Sequence, residues 1–169
     1  MRYPDSIGLL YSSFTYFLGF KVNSGEYKLM GLAPYGDSSS EQFHEFKENI
    51  YSDLISSYDD GSVALNMKYF RFHLGLKMIN EKKWEQLFFL PKRNDGDAIL
   101  SSHKNLALAI QQVLEEIVLK MAQHAKEITG SSNLCLAGGV ALNCLVNTRI
   151  KQSGLYDGIY IQPAAGDSG

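Results

Sequence analysis

The sequence predicts an α/β fold, and three observations carry the prediction. Apolar residues at helical spacing fill residues 104–129. A short apolar run, Leu134, Cys135, Leu136 and Ala137, follows and ends at Gly138 and Gly139. A second helical stretch then leads to another apolar run, Ile159, Tyr160 and Ile161. Helix, strand, glycine turn, helix, strand is the order of a crossover unit, whose helix returns the chain so that the two strands lie parallel and adjacent.

The individual elements follow in chain order. Asp5 or Ser6 can cap a helix with apolar positions Ile7, Leu10, Tyr11, Phe14, Phe17 and Leu18, and Gly19 supplies the stop. A short helix is expected after Ser24, with Glu26 in its first turn, Gly31 at its end and Pro34 just beyond. Residues 35–40 read as a polar loop. Phe43, Phe46, Ile50, Leu54, Ile55 and Tyr58 mark one face of a helix over 41–58. Asp59, Asp60 and Gly61 form a turn, and residues 62–74, rich in Val, Tyr and Phe, read as one or two strands. Residues 81–90 read as a helix stopped by Pro91, with a strand as the close alternative, and residues 92–97 as a solvated loop. In the long helix over 104–129 the buried stripe is Leu106, Ile110, Val113, Leu114, Ile117, Val118, Met121, Ala125 and Ile128, with Gly130 as the stop. The last helix spans about 141–152 and closes at Gly154.

Composition narrows the function classes. A chain of 169 residues suits one domain. Sixteen Lys and Arg against 18 Asp and Glu leave a net charge of −2, which gives no general pull toward nucleic acid or an anionic membrane. The aromatic residues fall at core spacing and do not interleave with a basic stripe, which argues against an RNA-stacking platform. The pairs Lys82 with Lys83 and Lys92 with Arg93 read as surface. Two cysteines, Cys135 and Cys144, are too few for a disulfide scaffold and read as reduced, buried thiols of a cytoplasmic protein. No apolar run is long enough to span a membrane. Both ends read as cut: Met1 leads straight into a helix, and residues 162–169 read as the entry to a helix that does not follow. The chain is therefore expected to be a fragment of a larger protein.

Three segments could carry chemistry. In the first, a strand runs into Gly138 and Gly139, which open toward a helix. Glycines there let backbone N–H groups approach an anion such as phosphate, and the helix N-terminus adds partial positive charge. A tight turn without a ligand fits the spacing as well. In the second, residues 23–36, three glycines surround Glu26 and Lys28. A carboxylate beside a glycine turn can accept hydrogen bonds from ribose hydroxyls, although a capped helix with a surface ion pair explains the same residues. The third is the terminal Gly166, Asp167, Ser168 and Gly169. A carboxylate beyond a strand's C-terminal end is placed to ligate a metal or to cap a helix.

Taken together, four ordered stretches resemble the O-carbamoyltransferases that modify nodulation factors and certain antibiotics. They are Ser6 through Tyr11, Gly19 through Gly36, Leu136 through Asn143, and Gln162 through Asp167. The resemblance implies part, the second lobe, of an actin-like ATPase or ribonuclease H-like domain, with a mixed sheet flanked by helices. It also implies kinship with tRNA threonylcarbamoyltransferases. The implied reaction moves a carbamoyl group from carbamoyl-adenylate to a hydroxyl of a small acceptor, sugar or antibiotic-like. A separate domain, not contained in these residues, makes the adenylate from carbamoyl phosphate and ATP. By position, Gly138 and Gly139 match the phosphate contact with Asn143 nearby, Gly25 and Glu26 the ribose segment, and Asp167 a ligand to a divalent metal, iron in the family. The family's histidine pair has no counterpart, because His44, His73, His103 and His124 are scattered. The fragment alone is expected to have no turnover. A tRNA threonylcarbamoyltransferase, a sugar kinase of the same superfold and a non-catalytic nucleotide-binding module are the alternatives.

Overall fold

The computed structural model describes residues 3–75 and 77–166. They fall into two compact units, one built from the described residues within 1–56 and 63–113, the other from those within 57–62 and 114–169.

The first unit is helical around an aromatic core. Helix α1 (Ile7–Phe17) is capped by Ser6, whose Oγ accepts the Leu9 N–H at 3.3 Å. Asp5, the other candidate, accepts the Leu65 N–H instead, at 2.8 Å. The helical spacing of α1 turns Phe14 and Phe17 toward Trp84 and Phe88 of α4 (Glu81–Phe88). Ring centroids of Phe14 and Trp84 are 4.7 Å apart, those of Trp84 and Phe88 5.6 Å, and those of Phe46 and Phe88 5.7 Å. All of these rings are buried. Edge-to-face pairs at such distances add to the stabilisation that burial alone provides. The indole N–H of Trp84 donates to the Tyr69 carbonyl at 3.0 Å, so the core holds no unsatisfied donor there.

Several boundaries differ from the sequence expectations. Helix α2 (Glu26–Leu32) runs through Gly31 and passes into a 3₁₀ turn, Ala33–Tyr35, which contains Pro34. The helix expected over 41–58 stops early. Helix α3 (Glu41–Asn49) gives way to a π-helical turn, Ile50–Leu54, and then to strand β1 (Ile55–Ser57), which pairs with β2 (Val63–Leu65). Beyond β2, residues 66–74 form turns with one antiparallel bridge from Phe70 to Ile79. For residues 81–88 the helical reading holds over the strand; Phe89 then ends α4 in the left-handed region at φ 47°.

Arg93 corrects the solvated-loop reading. Its side chain is buried, with Nη1 donating to the Leu18 carbonyl at 2.9 Å and both Nε and Nη2 to the Asp97 carbonyl, at 3.0 and 2.7 Å. A buried guanidinium is tolerated because its donors meet carbonyl oxygens in a fixed fork.

Helix α5 (Ser101–Thr129) is the longest element. Its predicted stripe is buried from Leu106 to Val118 but not at its end: Ile128 is 70% exposed. In the second unit, β3 (Asn133–Leu136) and β4 (Gly158–Ile161) pair in parallel, with Leu134 opposite Ile159 and Cys135 opposite Tyr160. The crossover order is therefore as predicted. Between the strands lie a 3₁₀ turn, Gly139–Leu142, and helix α6 (Cys144–Gln152). The expected burial does not hold, because no residue of β3 or β4 is fully buried and Cys135 and Cys144 are exposed. The described strands form two separate two-stranded sheets rather than one mixed sheet.

Candidate functional site

The turn after β3 gives its two glycines different reasons. Gly138 has φ 94° and ψ 163°, a region open essentially to glycine alone. Gly139 has an ordinary φ, and a Cβ built on it meets no atom within 4 Å. Nothing among the described residues therefore requires glycine at 139, and its backbone lies open to an approaching group.

The helix start is not where the sequence put it. The glycines open a short 3₁₀ turn, with the Ala141 N–H on the Gly138 carbonyl at 2.9 Å and the Asn143 N–H on the Val140 carbonyl at 3.0 Å. The α-helix begins only at Cys144. Asn143 is its buried N-cap, and Oδ1 accepts the Val146 N–H at 3.1 Å. Asn143 thus has a structural duty beside the turn.

The segment after β4 comes to the same place. The Gln162 N–H donates to the Leu136 carbonyl at 3.3 Å, which ties it to the C-terminal end of β3. A Cβ on Gly166 would stand 2.8 Å from Leu142 Cδ1. Two amide side chains here escaped sequence reasoning. Asn147 donates through Nδ2 to the Ala141 carbonyl at 2.8 Å, while its Oδ1 and the Oε1 of Gln162 are buried without a hydrogen-bond partner among the described residues. A buried unpaired acceptor is costly and calls for a donor. Asn147 lies one helical turn beyond Asn143, which is the signal that could have drawn attention to it.

Gly25 and Glu26 belong to the first unit and form a separate set. Gly25 is buried, and a Cβ there would stand 2.6 Å from the Lys21 carbonyl oxygen. Its glycine is explained by the chain itself. Glu26 Oε1 accepts the Ser12 hydroxyl at 2.8 Å and the Asn23 N–H at 3.0 Å, and Oε2 accepts the Gly25 N–H at 3.2 Å. The carboxylate is thereby fixed across the 19–25 loop, with Ser12 as a partner the local pattern did not reveal.

The metal expectation falls largely outside this geometry. Asp167 lies outside the described residues. Among those described, no group of three or more His, Cys, Asp or Glu side chains is placed to hold a metal. The Nδ1 of His103 accepts the Leu100 N–H at 3.0 Å, and that of His124 lies 3.8 Å from Glu127. Among the described residues no helix is long and apolar enough to cross a membrane.

Comparison with known proteins adds an independent finding. The family model described as "Carbamoyltransferase N-terminus" matches residues 1–169. The chain is 47% identical over its whole length to an uncharacterized protein, sll1178, of Synechocystis, of which it covers 26%. It is 37% identical to nodulation protein NolNO of Sinorhizobium fredii over 98% of the chain and 22% of that protein. With nodulation protein NolO of Bradyrhizobium diazoefficiens it shares 34% identity, over 98% of the chain and 27% of that protein. The chain thus spans about a quarter of the length of these relatives.

Proposed function

The chain belongs to the carbamoyltransferase N-terminus family, and from that premise we propose that it forms part of an O-carbamoyltransferase. The whole protein would transfer a carbamoyl group from carbamoyl-adenylate, made from carbamoyl phosphate and ATP, to a hydroxyl of a small sugar or antibiotic-like acceptor. The fold we assign is the second lobe of an actin-like ATPase domain, supported by the α/β order and the parallel β3–β4 crossover. The fragment alone has no turnover in this reading, because the adenylate-forming domain lies outside it.

The observation that carries the proposal is the open backbone at Gly139, at the C-terminal end of a parallel strand. Open α/β sheets bind ligands at the C-terminal ends of their strands. Backbone N–H groups of the Gly138–Gly139 turn would approach the adenylate phosphate. There they would stabilise the charge that develops as the acceptor oxygen bonds to the carbamoyl carbon and the bond to phosphate breaks, releasing AMP. Asn143 would fix the entry of α6 beside that phosphate. Gly25 and Glu26 would hold the ribose, the carboxylate being fixed in advance by Ser12 and the 23–25 backbone.

A metal, iron by resemblance, would draw ligands from Asp167 and from elsewhere in the polypeptide. The described residues gather no ligand set for it, and no step is derived through it. The reading is tested at Gly139. Gly139→Val in the longer polypeptide should leave the fold intact and weaken ATP binding at least about 100-fold, since a side chain would occupy the phosphate approach. Unchanged affinity with an intact fold removes the turn from the site.

A further inference from the structure

Arg93 is joined at several points to the loop that carries Glu26. Its Nη1 holds the Leu18 carbonyl at 2.9 Å, and its own backbone N–H donates to the Phe17 carbonyl at 3.1 Å. The guanidinium Cζ lies 5.4 Å from the centroid of the Phe20 ring, a cation–π contact. The end of α1 and the start of the 19–25 loop thus rest on one buried residue. From Phe20 the packing passes on to Gly25, where a Cβ would stand 2.8 Å from the Phe20 Cβ and 2.6 Å from the Lys21 carbonyl oxygen. The far side of the loop supplies donors to Glu26, the Asn23 N–H to Oε1 and the Gly25 N–H to Oε2. Asn23 has φ 66°, a backbone conformation that persists only where its surroundings hold it. Lys21, Asn23 and Ser24 are exposed, so the loop has little core of its own to do so.

Packing alone does not ask for a charge at this position. A buried charged group can often be replaced by apolar side chains without loss of stability, so stability does not explain it. We propose that Arg93 is the positioning residue for Glu26. The guanidinium grips the Leu18 carbonyl, the Asp97 carbonyl and the Phe20 ring at once. That fixes the 19–25 loop, and the two loop N–H groups then set the carboxylate where ribose hydroxyls would meet it. Arg93 acts through the loop and not on the ligand. A lysine cannot substitute, because a single ammonium lacks the planar fork that spans two carbonyls and stacks on a ring. This role rests on the reading of Glu26 as the carboxylate that holds the ribose.

The test titrates the longer polypeptide with ATP and with 2′,3′-dideoxy-ATP, which lacks the ribose hydroxyls. Arg93→Lys should weaken ATP about ten-fold, the size expected when a binding group is slightly misplaced, and leave the dideoxy nucleotide unchanged. In a Glu26→Gln background Arg93→Lys should cause no further loss, because its effect passes through that carboxylate. Equal weakening of both nucleotides, or losses that add in full, would make Arg93 a general stabiliser and overturn the proposal. Phe20→Leu keeps all the hydrogen bonds of Arg93 and removes only the ring, so it serves where Arg93→Lys does not fold. It should give the same ATP-selective loss in smaller measure, and unchanged ATP affinity overturns the proposal. Glu26→Gln separates the two readings. If it leaves ATP binding unchanged, the ribose assignment itself falls. If it weakens ATP while Arg93→Lys does not, the positioning role alone falls.

Discussion

Gly19 lies directly against the main chain of Arg93: a Cβ at residue 19 would stand 2.6 Å from the Arg93 carbonyl oxygen. Gly19 also has φ 74°, and the Arg93 N–H donates to the Phe17 carbonyl at 3.1 Å. The end of α1 and the loop after α4 are thus joined backbone to backbone. Gly19→Ala should therefore destabilise the chain by about 2–3 kcal/mol, combining the left-handed backbone with a clash that no rotamer relieves. Urea unfolding measures it, and a loss below about 0.5 kcal/mol would mean that the junction relaxes freely.

The carboxylate of Glu26 is held by three donors, one of them the Ser12 hydroxyl of α1. Glu26→Ala should cost about 1–2 kcal/mol of stability in the short chain, a loss reduced by its partial exposure. Ser12→Ala should cost about 1 kcal/mol, because two of the three donors remain. Equal losses for the two variants would show that the backbone donors contribute little.

His103 gives the first unit a pH dependence with a defined sign. Its ring is buried and Nδ1 accepts the Leu100 N–H. Desolvation, and then the positive charge of Arg93, hold its pKa below the ordinary 6.5, with Asp97 opposing. The unfolded chain therefore takes up the proton first. The stability contributed by neutral His103 is present above pH 6.5 and falls as the pH drops toward the depressed value. The carboxyl of Asp97 is itself held low by the Asn94 N–H, so its protonation belongs to a more acidic window. The unfolding midpoint should fall between pH 7.5 and 5.5, and His103→Gln should flatten that slope. Parallel slopes would assign it to other groups.

How far the sequence speaks depends on what each signal measures. Helical spacing reports a repeating apolar face, so α1, most of α5 and the parallel partners β3 and β4 were legible. The same signal misled at Ile50, Leu54 and Ile55, whose spacing continues that of Phe43 and Phe46 although the backbone has already turned through a π-helical turn into β1. The burial of Arg93 was not legible, because its partners are carbonyl oxygens of Leu18 and Asp97, and carbonyls leave no trace in residue identity. The strands at 133–136 and 158–161 were legible as apolar runs, but such a run reports a demand for cover and not its supply. At the candidate site, the glycine pair and Glu26 stood out by residue type. The unpaired amide oxygens of Asn147 and Gln162 emerged only from packing.

Carbamoyl transfer is the activity proposed for the polypeptide that contains these residues. Its most direct test supplies that polypeptide with carbamoyl phosphate, ATP and iron, and follows AMP release across aminoglycoside, cephem and chito-oligosaccharide acceptors. The expected result is AMP release that depends on one class of acceptor, with a carbamoylated hydroxyl as the product. A folded polypeptide that binds ATP and releases no AMP with any acceptor would contradict it.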